Sequence, residues 1–255
     1  MPLNPDVLAG PSTVAPIVPD WPAPAPVRAL ATTREGGVSG GAWGSLNLGA
    51  HCGDSAQAVE ENRQRLAQRL PSAPCWLSQV HGSRVLHLDQ WTPGVEADAV
   101  WTDRPGQVCA ILTADCLPVL FADAQGTLVG AAHAGWRGLA EGILAAFIDA
   151  LPLAPERLMA WIGPGISAPN YEVDQPVRAA FLNEDARLSR FFEPSRSGHW
   201  QADLKAIALD QLAKLGVGGL FDAKLCTSAD PQRFFSHRRD GARSGRQASL
   251  IWIEP

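Results

Sequence analysis

The chain has 255 residues, 46% hydrophobic and 18% charged, with a formal net charge of −5. That length buries a substantial core as one large domain or two small ones. The acidic balance excludes a general nucleic-acid or anionic-membrane surface while leaving room for a local basic pocket. No apolar run reaches the ~20 residues of a membrane span, and the N-terminus lacks a basic start followed by an apolar stretch. Five scattered cysteines without a Cys-x-x-Cys pair argue against a disulfide scaffold. A cytoplasmic protein is expected.

Eight of the first 26 residues are proline, a density that excludes helix and central strand. An extended, flexible arm is expected over residues 1–20, with the folded domain over 21–255 and regular structure beginning near Val27. Residues 27–54 read as a strand, a Gly-rich turn and a second short segment. "DSAQAVEENRQRLAQRL" (54–70) predicts a helix capped by Asp54 with Gln57 at the reciprocal position, its Val59, Leu66 and Leu70 on one face. "CWLSQVHGSRVLHLD" (75–89) reads as two short strands around a His81-Gly82 turn. Short β-rich runs follow at 97–103, 108–116, 118–123 and 127–133, then a helix over 137–150. A strand over 157–166 ends in Gly-Pro-Gly. Helices over 174–184 and 202–216 and strands over 221–227 and 248–255 complete the chain. Strands and helices interleave without a clean doubly wound pattern, so one α/β or α+β domain is expected.

Three side chains have the chemistry of metal ligands. His81 sits in its turn, Cys116 follows Thr113-Ala114-Asp115, and His133 closes the next apolar strand in "TLVGAAHAGWRGL". A thiolate and two imidazoles suit zinc, and three protein ligands leave a fourth position for water or substrate. The same residues also suit a metal-free reading, a Cys116 nucleophile activated by His133. A closed fourth ligand would instead make the protein a metal-stabilised binding module, but no further cysteine or histidine presents itself near the three. His51, His87 and His199 have no supporting context and read as surface or loop residues.

Basic residues suggest the rest of the site. Arg34 lies beside Gly36 and Gly37, Arg137 opens the helix after His133, and "SHRRDGARSGRQ" (236–247) gathers five basic side chains including Arg239. Such a cluster in an acidic chain predicts an oxyanion or phosphate pocket. Asp98 and Asp115 are candidates to orient the histidines or ligand hydroxyls.

"TTREGGVS", "LNLGAHCGD", "SQVHGSRV", "EADAVWTD", "TADCLPVLFAD", "AAHAGWRGL", "GPGISAPNYEV" and "CTSADPQRFFSHRRDGARSGRQASLIWI" occur in this order. Together they resemble the laccase-domain, or peptidoglycan editing factor, family over residues from about 20 to the end. The resemblance implies a single-domain α/β/β/α sandwich with mixed sheets, similar to a cytotoxic necrotizing factor-like cysteine hydrolase. It implies Zn2+ on His81, Cys116 and His133, which also serve as the catalytic residues, and substrate binding by Arg34, Asn47, Asp98, Arg137 and Arg239. The implied activity is phosphorolysis of adenosine, inosine and S-methyl-5'-thioadenosine, with adenosine deamination at the same site. Two alternatives accompany it: removal of L-Ser from UDP-MurNAc-L-Ser, and copper-dependent polyphenol oxidation with Cu2+ in the zinc site. The expected partners are small molecules, with no nucleic acid or membrane, and the expected state is a monomer. Blue-copper chemistry has the weakest support from the residues, because the chain has only Met1 and Met159 and six histidines.

Overall fold

A computed structural model describes residues 15–255. Residues 1–14 of the expected arm lie outside the described residues. Regular pairing begins ten residues before Val27, because Ile17 exchanges two backbone hydrogen bonds with Ala31 (2.9 and 2.8 Å). Pro16 and Pro19 flank it and lack N–H donors, which confines the pairing to an isolated bridge.

Twelve strands and six helices follow. The chain runs β1 (Val27–Ala31), α1 (Ala56–Ala67), β2 (Val85–His87), β3 (Ala99–Thr102), β4 (Val108–Thr113), β5 (Leu117–Asp123) and β6 (Val129–Ala134). It continues through α2 (Trp136–Ala140), α3 (Ile143–Asp149), β7 (Leu158–Ile162), β8 (Glu172–Asp174), α4 (Gln175–Glu184), β9 (Phe192–Pro194) and β10 (His199–Ala202). The last elements are α5 (Leu204–Lys214), β11 (Gly219–Asp222), α6 (His237–Asp240) and β12 (Gln247–Ile253).

The central sheet has the order β11-β7-β5-β6-β3-β2 and is mixed, since β11 and β2 join it in parallel and the inner strands are antiparallel. A smaller antiparallel sheet, β1-β12-β4, packs on one face of it. Ala29, Ile111 and Ile251 from the small sheet meet Leu120, Ala131 and Trp161 from the large one. The opposite face of the large sheet is covered by Phe147 of α3 and Ile207 and Leu212 of α5. Leu66 of α1 packs on the outer face of the small sheet against Ala110 and Leu250. Four layers result, an α/β/β/α sandwich. Burial on both faces explains why β5 and β6 read as continuous apolar runs rather than alternating ones. Among the described residues no helix is long and apolar enough to cross a membrane.

Several elements differ from the sequence reading, each for a local reason. The cap of α1 is Ser55, whose side chain accepts from the Ala58 N–H; Asp54 instead accepts from Ser39 Oγ (2.6 Å) and Asn47 Nδ2 (2.9 Å). The helix expected over 137–150 is two helices, because Gly142 takes a left-handed conformation (φ 83°) between α2 and α3. Residues 75–82 form isolated bridges at Cys75 and Ser78 rather than a strand. The strand expected over 221–227 stops at Asp222, just before Lys224 turns to φ 55°. The sheet β8-β10-β9 was not anticipated, since its strands are only three or four residues long.

Candidate metal centre and its cleft

The β5–β6 hairpin brings two of the three predicted ligands together. Its antiparallel register pairs Pro118 with His133 and Leu117 with Ala134, so Cys116, one residue before β5, sits beside the end of β6. On the other side of β6 the His133 N–H donates to the Asp98 carbonyl (2.7 Å), which sets Asp98 next to His133. His81 arrives from the loop before β2.

Asp98 organises the group. It is wholly buried, and its carboxylate accepts from the backbone N–H groups of Val80 (3.2 Å), His81 (2.9 Å) and Gly82 (2.8 Å). Three successive amides converging on one carboxylate hold His81 at φ 63°, a conformation unusual for a residue with a side chain. The same carboxylate lies 2.8 Å from His133 Nδ1. A carboxylate only accepts, so Nδ1 carries the proton and Nε2 is left as the ligand atom. Burial pushes Asp98 upward, but the hydrogen bonds from His133 and the turn amides outweigh it and hold the carboxyl below its usual range.

The ligand atoms of His81, Cys116 and His133 all lie within 4.8 Å of one another, and Cys116 Sγ is 3.9 Å from His81 Nε2. Around a tetrahedral zinc with bonds of about 2.0–2.3 Å, donors sit roughly 3.5 Å apart. The set therefore fits a zinc ion after a small inward shift, and His81, on an exposed turn, is the ligand free to make it. Among the described residues no fourth histidine, cysteine or carboxylate joins the group. Gly135 is part of the fit, because a Cβ there would lie 3.0 Å from both Cys116 Sγ and His81 Cδ2.

Without metal, the thiol and imidazole form a charge pair. Burial raises the Cys116 thiol, but the neighbouring His133 charge and hydrogen bonds from both histidines bring it down to about 6. Burial lowers His133, yet the Cys116 thiolate and the Asp98 hydrogen bond raise it to about 9. Chelator-stripped protein is therefore expected to show Cys116 alkylation that rises through about pH 6 instead of the usual thiol range near pH 8.5. Mass spectrometry of the Cys116 peptide after iodoacetamide pulses checks this. A rise only above pH 8 would exclude the thiolate–imidazolium pair.

The group opens into a cleft of about 760 Å³. Of the expected substrate contacts, Arg137 lines it, stacked on Trp136 with its guanidinium 4.5 Å from the ring centroid. The other four are not among the residues that line it. Arg34 donates to the Gly44 and Pro231 carbonyls (2.8 and 3.0 Å). Arg239 donates to the Thr227, Ser228 and Phe234 carbonyls and pairs with Asp240. Asn47 is fully buried and braces Gly49, Asp54 and Arg246. Asp98 lies beneath the histidines as described. Asp115 positions neither histidine; at φ 92° its carboxylate accepts from Thr227 Oγ1 (2.6 Å), Ser236 Oγ (3.0 Å) and the Arg238 N–H (2.6 Å), anchoring α6.

The residues that do line the cleft include Arg63, Trp76, Tyr171, Arg238 and Arg246, and His51 and His237 stand at it as well. The basic segment pointed to Arg238 and Arg246 but not to which of its arginines face outward. Arg63 carried no signal, being one charge on an amphipathic helix. Tyr171 is raised by burial and by the Cys116 charge, and it also senses Arg238 and Arg137, which puts these groups at the metal end of the cleft.

The fold and site define a four-layer α/β/β/α protein with a His–Cys–His group able to hold a metal ion, opening into a basic cleft. The chain belongs to the multi-copper polyphenol oxidoreductase laccase family, whose profile matches residues 28–254. It is 48% identical over 239 residues to a purine nucleoside phosphorylase of Pseudomonas aeruginosa, covering 93% of this chain and 98% of that one. Identity to purine nucleoside phosphorylase YfiH of Escherichia coli is 48% over 240 residues, with the same coverage. The crystal structure of Neisseria meningitidis protein NMB0706 superposes with a TM-score of 0.90 at 47% identity, covering 94% of this chain and 99% of that one.

Proposed function

We propose that the chain is a zinc-dependent purine nucleoside phosphorylase acting on adenosine, inosine and S-methyl-5'-thioadenosine, with adenosine deaminase activity in the same cleft. The observation that carries this reading is the His81–Cys116–His133 group, three ligands without a fourth, opening into a cleft lined by four arginines. The relatives named purine nucleoside phosphorylase support it. Zinc, when held by these three residues, supplies Lewis-acid polarisation to a group in its open position. The chain's own residues supply the rest. Trp136 and Tyr171 offer flat faces against which a purine is held, and Arg137 and Arg238 bring charge to phosphate at the same end. Holding phosphate against the ribose in this way contributes positioning and charge neutralisation. Asp98 keeps His133 in the tautomer that presents Nε2.

The five cysteines are unpaired, which supports a reducing, cytoplasmic location. To test the activity, bound zinc is measured and phosphate-dependent release of hypoxanthine from inosine is followed. Cys116→Ala is expected to lose zinc and to lower turnover by roughly 100-fold or more. A zinc-free Cys116→Ala protein with normal turnover would end the proposal.

One observation favours a second reading. Cys116, His133 and Asp98 also form the relay of a cysteine hydrolase, with the thiolate as nucleophile, His133 as its base and Asp98 orienting the imidazole at 2.8 Å. That geometry supports amide hydrolysis of UDP-MurNAc-L-Ser to UDP-MurNAc and L-Ser. Assaying this compound beside inosine, with and without chelator, separates the two. Copper-dependent phenol oxidation comes last, because a multicopper cluster needs further imidazoles and the described residues offer a single three-ligand group.

A further inference from the structure

A second cavity, of about 450 Å³, opens at the edge of the central sheet and shares no lining residue with the cleft. β11 ends the sheet on that side, and the chain before β1 forms the opposing wall. Ile17 is tied to Ala31 by its two backbone hydrogen bonds, and Trp21 meets Phe221 edge to face, with ring centroids 6.4 Å apart. Trp161 of β7 forms the floor and is only 1% exposed. The pocket is therefore fixed by main-chain pairing and aromatic contact.

Its polar groups divide into those the fold uses and those it leaves over. Asp222 Oδ1 accepts from Lys205 Nζ (2.8 Å) and from the Lys224 N–H (2.9 Å). Lys205 is buried, so the Asp222 charge is matched, and the turn that carries Lys224 at φ 55° is pinned. Three groups are left over. Among the described residues, the Lys224 ammonium and the Asp20 carboxylate, both exposed, have no partner, and nothing accepts from the Trp161 indole N–H. The Cζ3–Cη2 edge of that ring faces Gly163, where a Cβ would lie 2.8 and 3.2 Å from the two atoms, so Nε1 lies on the opposite edge. A donor on a side chain this buried costs free energy unless an acceptor reaches it, and here the fold supplies none.

The set selects a ligand. A buried N–H and an ammonium call for a carboxylate. The free Asp20 carboxylate calls for a cation, and Ile17, Leu220 and Phe221 call for an apolar body. Asp20 and Asp222 disfavour a phosphate or other dianion, and an uncharged ligand leaves both free charges unmatched. We propose that this pocket binds a free α-amino acid with an apolar side chain, its carboxylate on Trp161 Nε1 and Lys224 and its ammonium on Asp20. The volume lies within the ~300–1,000 Å³ of small-molecule sites. The inference goes beyond the proposed activity and does not rest on it.

The test is titration of the isotope-labelled full chain with L-leucine, followed by NMR on the tryptophan indole N–H resonances. Saturable binding with a Kd of about 1 mM or tighter is expected, with the Trp161 resonance moving most. Trp161→Phe, which keeps a ring and removes the donor, is expected to weaken binding about fivefold or more. Lys224→Gln and Asp20→Asn are each expected to weaken it about threefold or more. Both replace exposed side chains, so they decide the matter should Trp161→Phe fail to fold. Isocaproate and isopentylamine, each lacking one charge of leucine, are expected to bind more weakly by a similar factor. Cys116→Ala is expected to bind leucine as the wild type does, which separates this result from the metal group and from phosphorolysis. The inference is overturned by the absence of a saturable shift at Trp161, or by normal binding in Lys224→Gln and Asp20→Asn. Isocaproate or isopentylamine binding as tightly as leucine overturns it too, as does inosine moving the Trp161 resonance in place of leucine.

Discussion

Asp98→Ala is expected to destabilise the protein by about 3–5 kcal/mol, the range for removing one partner of a buried ion pair. For a chain of this size that lowers Tm by roughly 6–20 °C. The carboxylate is wholly buried and serves four donors, the amides of Val80, His81 and Gly82 and the His133 ring. Alanine leaves the turn without the acceptor that holds His81 at positive φ, and it leaves His133 free to rotate and change tautomer. Two of three ligands lose their orientation together, so metal binding is expected to fail with stability. Asp98→Asn separates the effects. It keeps the volume and one acceptor oxygen, but its Nδ2 confronts a donor, so the fold survives while metal affinity drops about 10–100-fold. Thermal melts and a zinc-chelator competition read the two quantities. An Asp98→Ala protein that melts with the wild type and holds zinc equally would remove Asp98 from the centre of the site.

Gly135→Val is expected to do the opposite, a large functional loss for a small structural one. Gly135 is the cap of α2, with ordinary extended backbone (φ −70°, ψ 166°), so valine meets no backbone strain there. The obstacle is space. The first added carbon lies 3.0 Å from Cys116 Sγ and 3.0 Å from His81 Cδ2, and the valine methyls extend further between the two ligands. Overpacking of this kind costs about 1–3 kcal/mol. Displacing ligands by an ångström costs about 10²-fold in rate. Turnover and zinc content are therefore expected to collapse in a protein that still folds, with a melting temperature lowered by roughly 2–12 °C. Full zinc occupancy in folded Gly135→Val would show that His81 and Cys116 do not close on a common ion.

How much of this was legible before folding differs residue by residue. His133 announced itself because a titratable ring has no place at the end of a buried strand, and Cys116 because it closes the apolar strand before that one. Four helical regions were legible, the first from apolar periodicity and its capping residues, while the four-residue α6 was not. The arginines were not sorted. Arg34 and Arg239 look as promising as Arg137 along the chain, yet neither lines the cleft, and Arg239 spends all its nitrogens on the Thr227, Ser228 and Phe234 carbonyls and on Asp240. Arg63 and Arg246 line the cleft.

By itself the sequence determined the kinds of group available, a thiol, two imidazoles and an excess of guanidinium, and the strand-rich blocks that carry them, because residue chemistry and short-range periodicity are local properties. Tertiary structure alone decided which groups meet. The β5–β6 register set Cys116 beside the end of β6, the β3–β6 pairing set Asp98 beneath His133, and the loop around residues 47–49 turned two arginines toward the cleft. Those choices depend on hydrogen-bond partners as many as 199 residues apart, as between Asn47 and Arg246, and no local pattern encodes a pairing over such a separation.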